Sequence, residues 1–383
     1  MTAAAIARVF PCGVLEYRHM NHFGKGAHKA SGKVDARLVT LLAVLFVSVS
    51  FYLIQICFAT VTYDKSKLAG AAASGTPDAV IPAPVVPVLP PLDTVAYDAK
   101  ILAIANGDTT GLWPVKTAYP DPGAILPFNR IIAYYGNLYS TKMGVLGQYP
   151  EKEMLARLDV EVKKWQLADP ATPVIPALHY IAVTAQGSAG ADGKYRLRMP
   201  GTQIDLVLAM AKKINALVFL DIQTGLSTID KEAPAFETYL KMPQVHLGID
   251  PEFSMKTGKK PGTVIGTMDA TDINWVINYL TKLVKDNHLP PKILVIHRFT
   301  QGMVTNAAKI MPTPEVQVVM DMDGWGVQSK KIRAYSDFIN KEPVEFTGFK
   351  LFYKNDFREP NSRILTPAEV LKLKPQPMYI QFQ

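Results

Sequence analysis

From Arg130 onward the chain alternates between two periodicities, and this alternation limits its fold more than any other feature. Apolar strand-like runs occur at RIIAYYG (130–136), PVIPALHYIAV (173–183), ALVFLDIQTG (216–225) and VHLGIDPE (245–252). More follow at KILVIHRF (292–299), VQVVMDMDG (316–324), FTGFKLFYKND (346–356) and MYIQFQ (378–383). Between them, EKEMLARLDVEVKKWQ, TQIDLVLAMAKKI and DINWVINYLTKLVKDN place apolar residues three and four apart, as helices with one buried face do. A last helix is expected where Thr366-Pro367-Ala368-Glu369 combines a capping box with proline at the first helical position. Eight strands with seven intervening segments is the count of an α/β protein of the (β/α)8 TIM-barrel type over 130–383. An open doubly wound sheet is the rival. It is disfavoured because Tyr134-Tyr135-Gly136-Asn137, after the first strand, is no Gly-rich phosphate loop.

The chain ahead of this domain has a different composition. Residues 1–37 form a basic arm in which Arg8, Arg18, Lys25, Lys29, Lys33 and Arg37 outweigh Glu16 and Asp35. Half of the formal net charge of +8 therefore belongs to the arm. The remainder is spread over the rest of the chain without a basic-aromatic cluster, so no nucleic-acid partner is expected. Leu38 to Val61 then carries no charge and, as a helix, would span about 36 Å, enough to cross a membrane. The basic arm before the span predicts a single-pass signal anchor, with the N-terminus cytoplasmic and the domain outside the cell membrane. Residues 62–92, Pro- and Ala-rich, read as a linker, and 93–129 as an extension that packs on the barrel through Trp113 and Phe128. The only cysteines, Cys12 and Cys57, precede the exported part, which also lacks an Asn-x-Ser/Thr sequon. Both traits fit a bacterial envelope protein.

Active sites of such barrels lie where the strands end. The polar residues expected there are Tyr135 and Asn137 from the first strand, His179 from the second, and Asp221 and Gln223 from the third. The fourth adds Asp250 and Glu252, the fifth His297, and the sixth Asp321 and Asp323, with Trp325 just beyond. Side chains alternate faces along a strand, so His246, Gly248, Asp250 and Glu252 share one face and Leu247 and Ile249 the other. The apolar pair suits the helix layer, which turns the polar set inward. Asp321 and Asp323 share a face by the same rule. Crowded, buried carboxylates repel one another, and at least one is expected to have the raised pKa that a general acid needs.

A first strand reading IIAYYGN, with a fourth ending in Asp-x-Glu, resembles the (β/α)8 glycoside hydrolases of the chitinase-like kind. Muramidase-like barrels also end a strand this way. The resemblance implies a glycan substrate, with Glu252 as proton donor to the glycosidic oxygen and Asp250 orienting it. Asp321 or Asp323 would supply the second carboxylate, as base, nucleophile or stabiliser of the transition state. Tyr135, Trp325 and Tyr353 would stack on sugar rings, and Asn137, His179, Asp221, Gln223 and His297 would complete the binding surface. Two positions depart from the chitinase pattern: Gly248 replaces a further aspartate, and Gln381 stands where a tryptophan commonly floors the site. No cofactor is expected.

Two other readings stay open at this level. A non-catalytic glycan-binding barrel would use the same residues without turnover. A metal-dependent hydrolase would use His179, His246, His297 and the aspartates, although no His-x-His or His-Glu-x-x-His spacing occurs.

Overall fold

The computed structural model describes residues 90–383. The arm, the apolar span and nearly all of the linker lie outside the described residues. Among the described residues, no helix is long and apolar enough to cross a membrane.

Eight parallel strands close into a barrel: β1 (Arg130–Gly136), β2 (Val174–Ala185), β3 (Leu217–Ile222), β4 (Val245–Ile249), β5 (Lys292–Arg298), β6 (Val316–Met322), β7 (Phe346–Leu351) and β8 (Tyr379–Phe382). Each pairs with its neighbours, and β1 pairs with both β2 and β8, which removes every edge from the ring. An open sheet is thereby excluded. The strands end sooner than their apolar runs because local turn chemistry takes over. In β4, for example, Asp250 accepts a hydrogen bond from the Glu252 N–H and starts a one-turn helix at Pro251. β2 is longer than its apolar run: its end leaves the ring and pairs with the antiparallel strand Arg196–Arg198.

Five helices of two turns or more accompany the strands: α1 (Thr94–Ile104), α2 (Glu151–Ala168), α3 (Gly201–Lys213), α4 (Ala270–Asn287) and α5 (Gln328–Tyr335). In α2 the buried residues are Met154, Leu158, Glu161 and Trp165, a single stripe, with Glu151 and Glu153 at the positive end of the dipole. α4 starts at a capping box formed by Asp269 and Asp272. The expected capping box of Thr366 and Glu369 is present, but it opens only a short helix, Pro367–Val370. Pro375 and Pro377 follow closely and cannot continue one.

Strand parity sorts the core into two parts. Leu178, Tyr180, Leu220, Leu247, Ile249, Leu294, Ile296, Met320, Met322, Phe349 and Phe382 pack between the strands and the helices. Ile131, Ala133, Ala177, Phe219, Ile293, Val295, Val319, Phe346 and Tyr379 form a separate cluster inside the ring. That inner cluster is closed from below by the extension. Leu126 is fully buried against it, and the Ile125 and Leu126 N–H groups both donate to Gln317 Oε1 at 3.1 Å. The Gln317 amide returns a hydrogen bond to the Leu126 carbonyl at 2.7 Å. Gln317 is near the start of β6, so residues 93–129 plug the N-terminal end of the barrel and leave the opposite end free. Trp113 is buried with its indole N–H on the Asn340 carbonyl, and Phe128 packs edge-on against Tyr97.

Candidate functional site

Above the apolar floor, the inward positions turn polar at the C-terminal ends of the strands. Seven of the eight strands contribute to one buried network. Tyr135 (β1) donates its hydroxyl to Asp221 Oδ2 (β3) at 3.0 Å. His179 (β2) contacts the Tyr379 hydroxyl (β8) through Nδ1 at 2.5 Å. His297 (β5) contacts Asp321 Oδ2 (β6) through Nδ1 at 3.2 Å and lies 3.4 Å from Asp323 Oδ2, just past the end of β6. Lys350 (β7) reaches Asp323 Oδ1 at 2.9 Å, and its ammonium sits 3.9 Å above the centre of the Tyr135 ring. The Gln381 amide (β8) donates to the Tyr379 hydroxyl at 2.9 Å.

The donors left over converge on one point. His179 Nε2 lies 3.4 Å and His297 Nε2 3.5 Å from Asp221 Oδ1. The three atoms are within 4.8 Å of one another, and all three residues are wholly buried. None of the three atoms has a hydrogen-bond partner, and these are the donor types that could hold a metal ion. Gly248 of β4 faces this point. A Cβ there would stand 2.4 Å from His179 Nε2 and 2.5 Å from Asp221 Oδ1. The departure at 248 therefore has a steric cause, since an aspartate could not share the space with His179.

Asp250 and Glu252 sit above this layer. Asp250 is buried, accepts the Glu252 N–H at 3.1 Å and takes a long 3.3 Å contact from the Gln223 amide. Gln223 is itself fixed by the Ala185 N–H at 3.0 Å. Glu252 is half-buried. Burial, reinforced by the charge of Asp323, raises its pKa to about 7; Lys350 and His297 oppose the shift. Burial and the neighbouring carboxylates also push Asp250 well above the usual range. Burial keeps His179 neutral, with a pKa lowered to about 4. His297 goes the other way, because Asp221 and Asp321 favour its cation more than burial opposes it, and Asp221 is depressed in turn.

Eight of the residues singled out in the sequence thus share the network: Tyr135, His179, Asp221, Gln223, Asp250, His297, Asp321 and Asp323. Glu252 couples to it electrostatically. Three others do not join. Asn137 is buried, but its amide donates to the Ile181 carbonyl and its Oδ1 accepts the Tyr139 N–H, so it shapes the loop after β1. Tyr353 is a correction to the sugar-stacking expectation: it stacks on Phe382 and meets the Tyr134 hydroxyl in the layer between strands and helices. Trp325 is partly exposed beyond β6, flanked by Lys330 and Arg358. Tyr135 lies too deep to be a stacking platform, since its ring is buried beneath Lys350. His246, proposed as a metal ligand, faces inward one layer lower, where its Nδ1 accepts the Ile293 N–H at 3.0 Å. Sequence reasoning missed Lys350 and Tyr379. Lys350 shares strand parity with Gly348 and is the one charged residue in FTGFKLF, which was the available signal.

No family model matches the chain, and no curated protein matches it. Several solved barrel structures are distantly similar. A ruminal GH26 endo-beta-1,4-mannanase aligns with 10% identity and a TM-score of 0.32, covering 70% of this chain and 64% of its own. GH26C from Muricauda sp. aligns with 10% identity and a TM-score of 0.31, covering 76% of this chain and 82% of its own. The HPPK-DHPS of Plasmodium falciparum, with pterin and p-hydrobenzoate, aligns with 9% identity and a TM-score of 0.31, covering 76% and 52%. The chain thus spans less than two thirds of the first and third of these.

Proposed function

We propose that the chain is a membrane-tethered glycoside hydrolase whose barrel lies outside the cell membrane and acts on a cell-envelope or extracellular glycan. The observation that carries this reading is Glu252: a half-buried carboxyl at the C-terminal mouth with a pKa raised to about 7. Such a group is still substantially protonated near neutral pH and can give its proton to a departing glycosidic oxygen. Asp250, which holds the Glu252 backbone N–H, fixes the turn that presents the acid.

Hydrolysis also needs a carboxylate facing the anomeric carbon. Asp323 is the better candidate of the two aspartates at the end of β6. It is slightly exposed and ion-paired to Lys350, whereas Asp321 is fully enclosed against His297. Glu252 would protonate the leaving oxygen while Asp323 stabilises or attacks the sugar carbon, and water completes the cleavage. Trp325 offers an exposed ring surface beside the same end of the barrel.

Release of reducing sugar from peptidoglycan and a panel of polysaccharides by the full chain tests the proposal. Release that Glu252→Gln abolishes supports it. No release from any substrate, with glycan binding equal in wild type and variant, would instead identify a non-catalytic glycan-binding barrel.

A further inference from the structure

We propose that His179, Asp221 and His297 form a binding site for a first-row divalent metal ion, zinc in the first instance, with one coordination position left for a non-protein ligand. The inference rests on the donor atoms alone and does not depend on the glycan reading. Three observations support it.

The first is spacing. Zinc bonds of about 2.0–2.1 Å arranged tetrahedrally place adjacent donor atoms about 3.4 Å apart, against about 3.0 Å for an octahedral ion with similar bonds. His179 Nε2 and His297 Nε2 are 3.4 and 3.5 Å from Asp221 Oδ1. A charge-assisted N–H···O bond would instead close to about 2.7–2.9 Å. These two contacts are long for hydrogen bonds and close to a tetrahedral edge, and the third pair, the two Nε2 atoms, lies within 4.8 Å.

The second is the state of the donor atoms. His179 Nε2, His297 Nε2 and Asp221 Oδ1 are buried without a hydrogen-bond partner, an arrangement that opposes folding unless something satisfies it. A divalent cation at their common focus would satisfy all three, taking the place of the proton that Asp221 and Asp321 otherwise favour on His297. Gly248 keeps the adjacent space open, because a Cβ at that position would stand 2.4–2.5 Å from two of the donor atoms.

The third is the surrounding support. Ligand histidines usually bind a second partner through the other ring nitrogen, which fixes the tautomer and the ring plane. His297 Nδ1 has Asp321 Oδ2 at 3.2 Å, and His179 Nδ1 has the Tyr379 hydroxyl at 2.5 Å. The free oxygen of Asp221 accepts the Tyr135 hydroxyl at 3.0 Å. Each proposed ligand is thus held from behind with its free atom aimed at the focus. Three protein ligands leave a tetrahedral ion one position for water or a substrate oxygen.

The test is direct metal binding by the full chain after chelator treatment and dialysis. Zn2+ is titrated calorimetrically, and Co2+ is added as a visible probe of coordination geometry. The expected results are one zinc per chain, intense tetrahedral cobalt bands in the visible spectrum, and a zinc-dependent rise in unfolding temperature. His179→Gln and Asp221→Asn should lose all three, and Gly248→Ala should lose them by filling the space. Tyr135→Phe should keep the site but weaken zinc about 10–100-fold. Glu252→Gln should bind zinc like wild type, so loss of turnover and loss of metal are read separately. Circular dichroism of each metal-free variant shows whether it is folded. The wild type alone can overturn the proposal, by binding no stoichiometric zinc and giving no cobalt band. Undiminished zinc binding by a folded His179→Gln, His297→Gln double variant would overturn it equally.

Discussion

Glu252 and its neighbours set the pH at which the proposed acid works. An acid must be protonated to act, and Glu252 loses its proton as the pH rises through about 7, so kcat/KM should fall on that alkaline side. The neighbours give the limb a sign. Asp323 raises the Glu252 pKa, so Asp323→Asn should move the Glu252 titration to lower pH. Lys350 lowers it, so Lys350→Met should move that titration to higher pH. Because Asp323 is also the proposed second carboxylate, both shifts are read from the NMR titration of the Glu252 carboxyl and not from rates; opposite displacements would confirm the coupling, and shifts in the same direction would refute it. Glu252→Gln itself should cost about 10²–10⁴ in kcat, the usual contribution of a positioned acid. The same shift bears on stability. Because the folded pKa lies above that of an unfolded glutamate, this group favours the folded state at acid pH, and that contribution is lost as the pH rises through about 7. Above neutral pH, Glu252→Gln should therefore unfold no more readily than wild type in urea, while lacking turnover.

At the scale of elements, side-chain parity determines which residues meet and small residues determine how closely. Gly348 of β7 lies against Asp321: an added Cβ would stand 2.5 Å from Asp321 Oδ1 and 3.1 Å from the Tyr379 ring. Gly348→Ala should therefore cost about 1–3 kcal/mol as an overpacked core site, read from the urea midpoint at unchanged slope. Farther out, Lys331 of α5 and Asp356 after β7 form a wholly buried ion pair at 2.5 Å. Lys331 also donates to the Lys350 carbonyl, and Asp356 accepts the Gly326 and Phe352 N–H groups, so the pair ties α5 to β7 and to the segments that follow β6 and β7. Asp356→Ala should cost about 3–5 kcal/mol by leaving a buried ammonium without its counter-ion. Much of this layer was legible in the sequence. The strands carry apolar-rich runs, and the period-two rule placed Asp250 with Gly248 and Asp321 with Asp323 on inner faces. Other features were not legible, because they depend on distances between strands far apart in sequence. That His179 and His297 share Asp221 follows from barrel closure, as does the layer difference that excludes His246. Tyr353 read as a mouth aromatic because it follows β7 closely, yet its ring packs outward against Phe382.

For the whole domain, the two ends of the barrel separate stability from chemistry. The plug at the N-terminal end buries Leu126 in the inner apolar cluster and is locked by Gln317. At the other end lie the carboxylates, histidines and Lys350, where buried charge opposes folding. Barrels generally divide this way, with loops at the C-terminal face carrying function and the opposite face carrying stability. The division can be tested by one pair of substitutions. Leu126→Ala removes a fully buried side chain from the plug and should cost about 2–5 kcal/mol, lowering the urea midpoint. The floor of inner apolar side chains lies between Leu126 and the site, so KM and kcat of the folded fraction should match wild type. Glu252→Gln should give the reverse, with turnover lost and stability kept. If Leu126→Ala instead weakened substrate binding in the folded protein, the plug would be mechanically coupled to the mouth. The inner cluster would then transmit strain along the barrel axis, and the division between the two faces would fail for this chain.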